Sequence, residues 1–143
     1  MANSNIESVR EWLRTCDKLS TSKFMRVDYI DDDPNCYAVY SSPSALKYGV
    51  DILGNSYLED VQQANYYFAV NCTYGKDISQ NMANIAELES VIEWINAQNI
   101  ARNFPTLKEG KVISILPTLS PVPMPKSVET AVYQITISMT YRR

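Results

Sequence analysis

Between Gly75 and Phe104, apolar residues recur at helical spacing: Ile78, Met82, Ile85, Leu88, Ile92 and Ile95 form one stripe at ~100° per residue. The pattern predicts a helix over 78–101. Asp77 with Gln80 offers a capping box at its start, and Phe104-Pro105 closes it. At ~1.5 Å rise per residue such a helix is about 36 Å long, so its stripe needs an equally broad surface to cover it. In a chain of 143 residues, the size of one domain, that surface is most economically a sheet.

The strands for that sheet stand on both sides of the helix. In ANYYFAVNCTYG (64–75), Tyr66, Phe68, Val70, Cys72 and Tyr74 alternate with Tyr67, Ala69, Asn71 and Thr73. In AVYQITISMTYRR (131–143), Tyr133, Ile135, Ile137, Met139 and Tyr141 alternate with Gln134, Thr136, Ser138 and Thr140. KFMRVDYI (23–30) and CYAVYS (36–41) are expected to be outgoing and returning strands around a DDDPN turn (31–35). SALKYGVDILGNSY (44–57) reads as a strand followed by an exposed loop. KVISILP (111–117) is apolar on both faces and suggests a central strand. The four prolines of PTLSPVPMPKS (117–127) then imply an extended loop, because proline cannot occupy central ladder positions. Ahead of all this, Ser4 with Glu7 fits a capping box, and Ile6, Val9, Leu13 and Cys16 continue as an amphipathic helix over 5–19, widened by Trp12 and Leu19. Strands clustered before and after a long helix indicate an α+β fold. We expect a mostly antiparallel sheet of about five or six strands, packed by an N-terminal helix and one long central helix, in a single domain over 1–143. Loops near 42–64 and 117–130 protrude from it.

Composition narrows the chemistry. There is no histidine, which removes Ser-His-Asp and Cys-His catalysis and imidazole-ligated zinc. The formal charge of −3 gives no basic excess for sequence-specific nucleic-acid binding. No apolar run reaches the length of a membrane span, and MANSNIESVREW has neither the basic start nor the apolar segment of a signal peptide. Three widely spaced cysteines, Cys16, Cys36 and Cys72, suggest thiols in a reducing compartment. Asp31, Asp32 and Asp33 offer oxygen ligands, but without the alternating ligands, glycine and distal glutamate of an EF-hand they read as a solvated turn. No nucleophile elbow or phosphate loop is present. The expectation is a protein without catalysis, cofactor or metal.

Interaction surfaces are better candidates. Ten tyrosines are present, and in YYFAVNCTY they fall on both strand faces, so Tyr67 is a candidate contact beside ordinary strand propensity. Trp94 lies about 180° from Ile85 on the helical wheel. It either widens the core stripe through Val91 and Ile95 or meets another subunit. Pro121, Val122, Pro123 and Met124 would lie on an arm that contacts a neighbour. Arg142 and Arg143 would either meet an acidic partner or simply solubilise an edge strand.

Taken in order, VDYIDDDP, ANYYFAVNCTYG, a helix ending EWINAQNIARNFPTLKEGK, and the last strand AVYQITISMTYRR resemble small bacteriophage minor capsid or tail proteins. The closest functional class is the tail terminator, or tail completion protein, of long-tailed phages. The resemblance covers nearly the whole chain. Its most suggestive stretches are the helix end with Trp94, Ile95, Gln98 and Asn99, and the strand start Tyr133, Gln134 and Ile135. It implies an α+β virion protein of the tail or neck, assembled in the host cytoplasm. Such a protein forms a homo-oligomeric ring, commonly a hexamer, that caps the tail tube protein and meets a head-side connector or neck protein. A head completion or neck connector protein is the alternative, and a small enzyme a more distant one.

Overall fold

A computed structural model describes residues 4–17, 19, 25–28, 30, 36–73, 78–125 and 130–143, with the side chains of 73, 78, 119–125 and 130 set aside. The DDDPN turn and Asp77 of the second capping box lie outside the described residues.

Helix α1 (Asn5–Leu13) begins where Ser4 Oγ accepts the Glu7 N–H at 3.3 Å. It is shorter than the sequence pattern suggests. The Thr15 hydroxyl donates back to the Trp12 carbonyl at 2.6 Å, and the Cys16 N–H bonds to the Leu13 carbonyl, which tightens the chain out of α-geometry. Helix α2 (Ile78–Ala101) has the expected bounds. It ends at Arg102, which takes a left-handed φ of 57°. There the Asn103 N–H reaches the Gln98 carbonyl at 2.9 Å and the Arg102 N–H reaches Asn99, a Schellman closure ahead of Pro105.

The main sheet has five strands in the order β1 (Met25–Val27), β2 (Cys36–Ser42), β5 (Val61–Thr73), β7 (Thr130–Arg142) and β6 (Lys111–Pro125). All pairings are antiparallel except β1 with β2, which is parallel. The expected hairpin between 23–30 and 36–41 is therefore corrected. Asp28, at φ 56°, turns the chain off the sheet, donates its N–H to the Val39 carbonyl and accepts the Ser41 N–H on its carboxylate. Strand β6 corrects two further expectations: it lies at the sheet edge, and it continues through the prolines to Pro125. An edge strand needs only one row of N–H donors and so tolerates prolines, and the ladder with β7 continues past them through register shifts between Pro117 and Leu119 and between Leu119 and Val122. The last strand lies inside the sheet, between β5 and β6.

Both helices pack on one face. Tyr37, Val39, Tyr66, Phe68, Val70, Tyr133, Ile135, Ile137 and Met139 meet Val9, Trp12 and Leu13 of α1 and Leu88, Val91 and Ile95 of α2. The stripe of α2 is rotated from expectation: Val91 joins Leu88 and Ile95 at full burial, while Met82 is exposed. Each large side chain here contributes roughly 1.5–3 kcal/mol by leaving water. The Tyr37 hydroxyl, carried into this layer, donates to Glu87 Oε1 at 2.7 Å.

Candidate assembly surfaces

Between β2 and β5 the chain forms a separate two-stranded hairpin, β3 (Tyr48–Val50) with β4 (Ser56–Leu58), where the sequence suggested a strand and a loop. Its turn is organised by Asp51, whose Oδ1 accepts the Leu53 and Asn55 N–H groups, both at 2.9 Å. Gly54, at φ 85°, returns its N–H to the Asp51 carbonyl. This turn places Ile52 and Leu53 at the tip with 101% and 82% of their surface exposed. Leu46, Tyr48, Val50 and Tyr57 are exposed as well. Across the strands the Tyr57 ring lies over Gly49, where a Cβ would collide with it.

The hairpin root is firmly held. Gln62 is 1% exposed, and its side-chain amide accepts the Lys47 N–H at 2.9 Å while donating to the Lys47 and Glu59 carbonyls. Arg143 closes the same corner, with its N–H on the Asp60 carbonyl and its guanidinium on the Leu58 carbonyl at 3.2 Å. The arginine expected to meet a partner thus holds the hairpin, while exposed Arg142 pairs with Val61 and Lys111 in the ladders. Gly110 enables this corner to close: at φ 87° it lies against the Arg142 carbonyl, leaving no room for a Cβ.

The sheet face away from the helices carries Ala38 and Tyr40 of β2, Tyr67 and Ala69 of β5, and Gln134, Thr136 and Ser138 of β7, aligned by register. Leu116 of β6 joins this face opposite Ser138 and is 40% exposed. Tyr67 is half-buried here, paired with Tyr40 on one side and Thr136 on the other. No helix among the described elements packs on this face.

Trp94 has a partner within the chain. Its ring sits 4.9 Å from that of Trp12, whose indole N–H donates to the Asn103 carbonyl at 2.9 Å. It is half-buried against the core and borders an open groove of about 610 Å³ with Thr15, Asp17, Glu93, Ala97, Gln98 and Asn103. Helix α1 therefore covers the side of α2 that a helical wheel leaves outside. Pro121, Val122, Pro123 and Met124 fall on the distal half of β6, where Val122, Pro123 and Met124 pair with Gln134, Tyr133 and Val132; their side chains are outside the description.

The surfaces expected from sequence thus lie apart: Trp94 on the helix side, Tyr67 on the opposite face, 121–124 along an edge and Arg143 at the hairpin root. The hairpin falls within the stretch near 42–64 expected to protrude, but its exposed side chains were not singled out. The signal for them was present, because Ile52 and Leu53 stand in a loop-like stretch between Asp51 and Gly54-Asn55.

Among the described residues, no group of three or more His, Cys, Asp or Glu side chains is placed to hold a metal ion. The three cysteines are thiols, with Cys16 and Cys72 buried. Burial, with Glu87 nearby, pushes the Cys72 thiol up to about 12. Burial, with Tyr141 nearby, pushes the Tyr66 hydroxyl up to about 12. Both shifts lead away from proton exchange near neutral pH. No described helix is long and apolar enough to cross a membrane. No protein-family model matches the chain, and no curated protein matches it.

Proposed function

We propose that this chain is a structural assembly protein of a long-tailed phage virion, a tail terminator that forms a ring on the finished tail tube. The observation that carries the reading is the hairpin: a preorganised turn, rooted through Gln62 and Arg143, that holds Ile52 and Leu53 in solvent. An apolar tip fixed in this way costs solubility, and a partner that covers it supplies the compensation. The sequence-level resemblance gives that partner a setting.

Mechanistically, the protein blocks an open interface. Rings of a tail tube add head to tail and present the same surface after every addition, so growth does not stop by itself. A ring that binds the tube end and shows a different upper face ends the series, and that face receives the head-side connector. Such a role needs rigid subunits and projecting contacts, with no catalysis, cofactor or nucleic-acid readout.

The test is to add the protein to tail tube protein during polymerisation and measure tube lengths by electron microscopy. Growth should stop, with extra density at one end. Unchanged lengths with bare ends would overturn the reading. Binding to a portal-side neck without any effect on tube length would reassign the protein to the connector class.

A further inference from the structure

We infer that two copies of this chain pair edge to edge through β3, in an antiparallel register centred on Gly49. The contact goes beyond the capping reading and is made without a tail tube.

The backbone shows which edge is open. The Asp51 N–H bonds to the Asn55 carbonyl and the Glu59 N–H to the Lys47 carbonyl, so Lys47, Gly49 and Asp51 turn their backbone groups toward β4. Tyr48 and Val50 turn theirs to the opposite side. The hairpin sheet has only two strands, and no described residue hydrogen-bonds these outward groups. The other edge strands are covered at such points. On β4 the Leu58 carbonyl accepts from the Arg143 guanidinium, and on β1 the Met25 carbonyl accepts from that of Arg10. On β6, Asn99 Oδ1 accepts the Ile115 N–H at 3.2 Å, and Pro117 beyond it has no N–H. An uncovered edge is a template for a further strand.

Charge then selects the occupant and the register. A two-fold pairing centred on Gly49 sets Lys47 opposite Asp51 of the second copy, and Tyr48 opposite Val50, on both sides of the centre. Lys47 and Asp51 are exposed, and neither forms an ion pair among the described residues. Tyr48 of each copy exchanges both backbone bonds with Val50 of the other. The central Gly49 pair is the close, non-hydrogen-bonded kind, which suits a residue without a Cβ. Further out, exposed Leu46 comes beside exposed Ile52. Sliding one strand by two residues keeps backbone pairing but strands the charges. In one direction Asp51 meets Gly49 and Lys47 meets Leu53; in the other they meet Ala45 and Gly49. Edge pairing also engages both faces of the hairpin, since Tyr48 and Val50 lie on one and Lys47 and Asp51 on the other. A surface that meets itself is isologous and closes at two copies, so this contact is distinct from one that builds a ring.

Sedimentation velocity over a dilution series of the full chain tests this. The wild type should pass from monomer to dimer as concentration rises. Lys47→Glu and Asp51→Lys should each raise the dissociation constant at least about tenfold, because like charges then meet at both pairs. Mixed in equal amounts, the two variants should dimerise about as tightly as the wild type, since each mixed pair restores both oppositions. Val50→Pro removes an outward donor without touching the inward ladder and should also weaken the dimer at least about tenfold. Near-ultraviolet circular dichroism reads the fold of the body, and amide exchange at Leu53 and Asn55 reads the turn. If Asp51→Lys loses the turn, Lys47→Glu and Val50→Pro decide. A wild type monomeric at every concentration overturns the inference. So does undiminished association by Lys47→Glu, or a mixture of folded charge variants no tighter than its components. The assay contains no tail tube, so its outcome is separate from the tube-capping test.

Discussion

Phe68, Ile137 and Val39 have no exposed surface, whereas Ile52 and Leu53, some residues away in the same chain, are open to water. In the body, two helices and five strands bury apolar faces against one another, and polar groups enter that layer with partners, as Tyr37 does with Glu87. In the hairpin the order is reversed: hydrogen bonds made by Asp51 and Gln62 fix the backbone, and the apolar side chains are left outside. The body holds its shape by packing, and the limb by polar scaffolding. The contrast separates stability from assembly within one chain.

The sharpest test of that separation compares truncations. Phe68→Ala should cost the monomer about 3–5 kcal/mol in urea denaturation, the ordinary loss for a buried aromatic. Ile52→Ala should stay within about 0.5 kcal/mol of wild type. If Ile52→Ala costs much more, the tip packs on the body and the comparison collapses. Next in size is Gly110→Ala, where a left-handed φ and the Arg142 carbonyl both oppose a side chain. A loss of about 2 kcal/mol is expected. A neutral result would mean that the corner beside Arg143 yields easily.

Gln62→Ala addresses the junction. It strands the Lys47 and Glu59 backbone groups and should cost about 1–2 kcal/mol. Amide exchange should quicken over 48–58 while 88–95 of α2 is unchanged. Equal acceleration in both segments would show that limb and body open together.

A further effect appears only in alkali. Cys72 and Tyr66 sit at about 12 in the folded chain, above their ordinary values of 9.0 and 10.0. Above pH 9 the unfolded chain gives up protons that the folded chain keeps, so their contribution is intact below pH 9 and is lost as pH climbs toward 12. The urea midpoint should fall from about pH 8 to about pH 11, and Cys72→Ala should flatten the early part of the fall. Parallel curves for the two proteins would remove Cys72 from the account.

What the sequence disclosed follows from how local each signal is. The bounds of α2 and the alternation in β5 and β7 could be read because periodicity reports directly on burial of one face. The parallel pairing of β1 with β2 could not, since a strand's pattern does not encode its neighbour's direction. Strand β6 was misplaced because Val112 and Ile115 face the core while Ile113 and Leu116 lie exposed at an edge, giving a run that imitates a central strand. The shared odd parity of Pro121, Pro123 and Pro125 was the available clue to an edge. Trp94 was open between a wider core stripe and a subunit contact because a helical wheel knows nothing of α1, which brings Trp12 to it. The hairpin was hidden by its inversion of the usual rule: apolar residues in a turn look like a strand end until Asp51 is seen to hold the backbone.

Hydroxyl-radical footprinting of the wild type, dilute against concentrated, tests the central claim most directly. On association, Ile52 and Leu53 should lose reactivity together, while exposed Met82 on α2 keeps its own. Continued reactivity of Ile52 and Leu53 in the associated fraction would contradict the account.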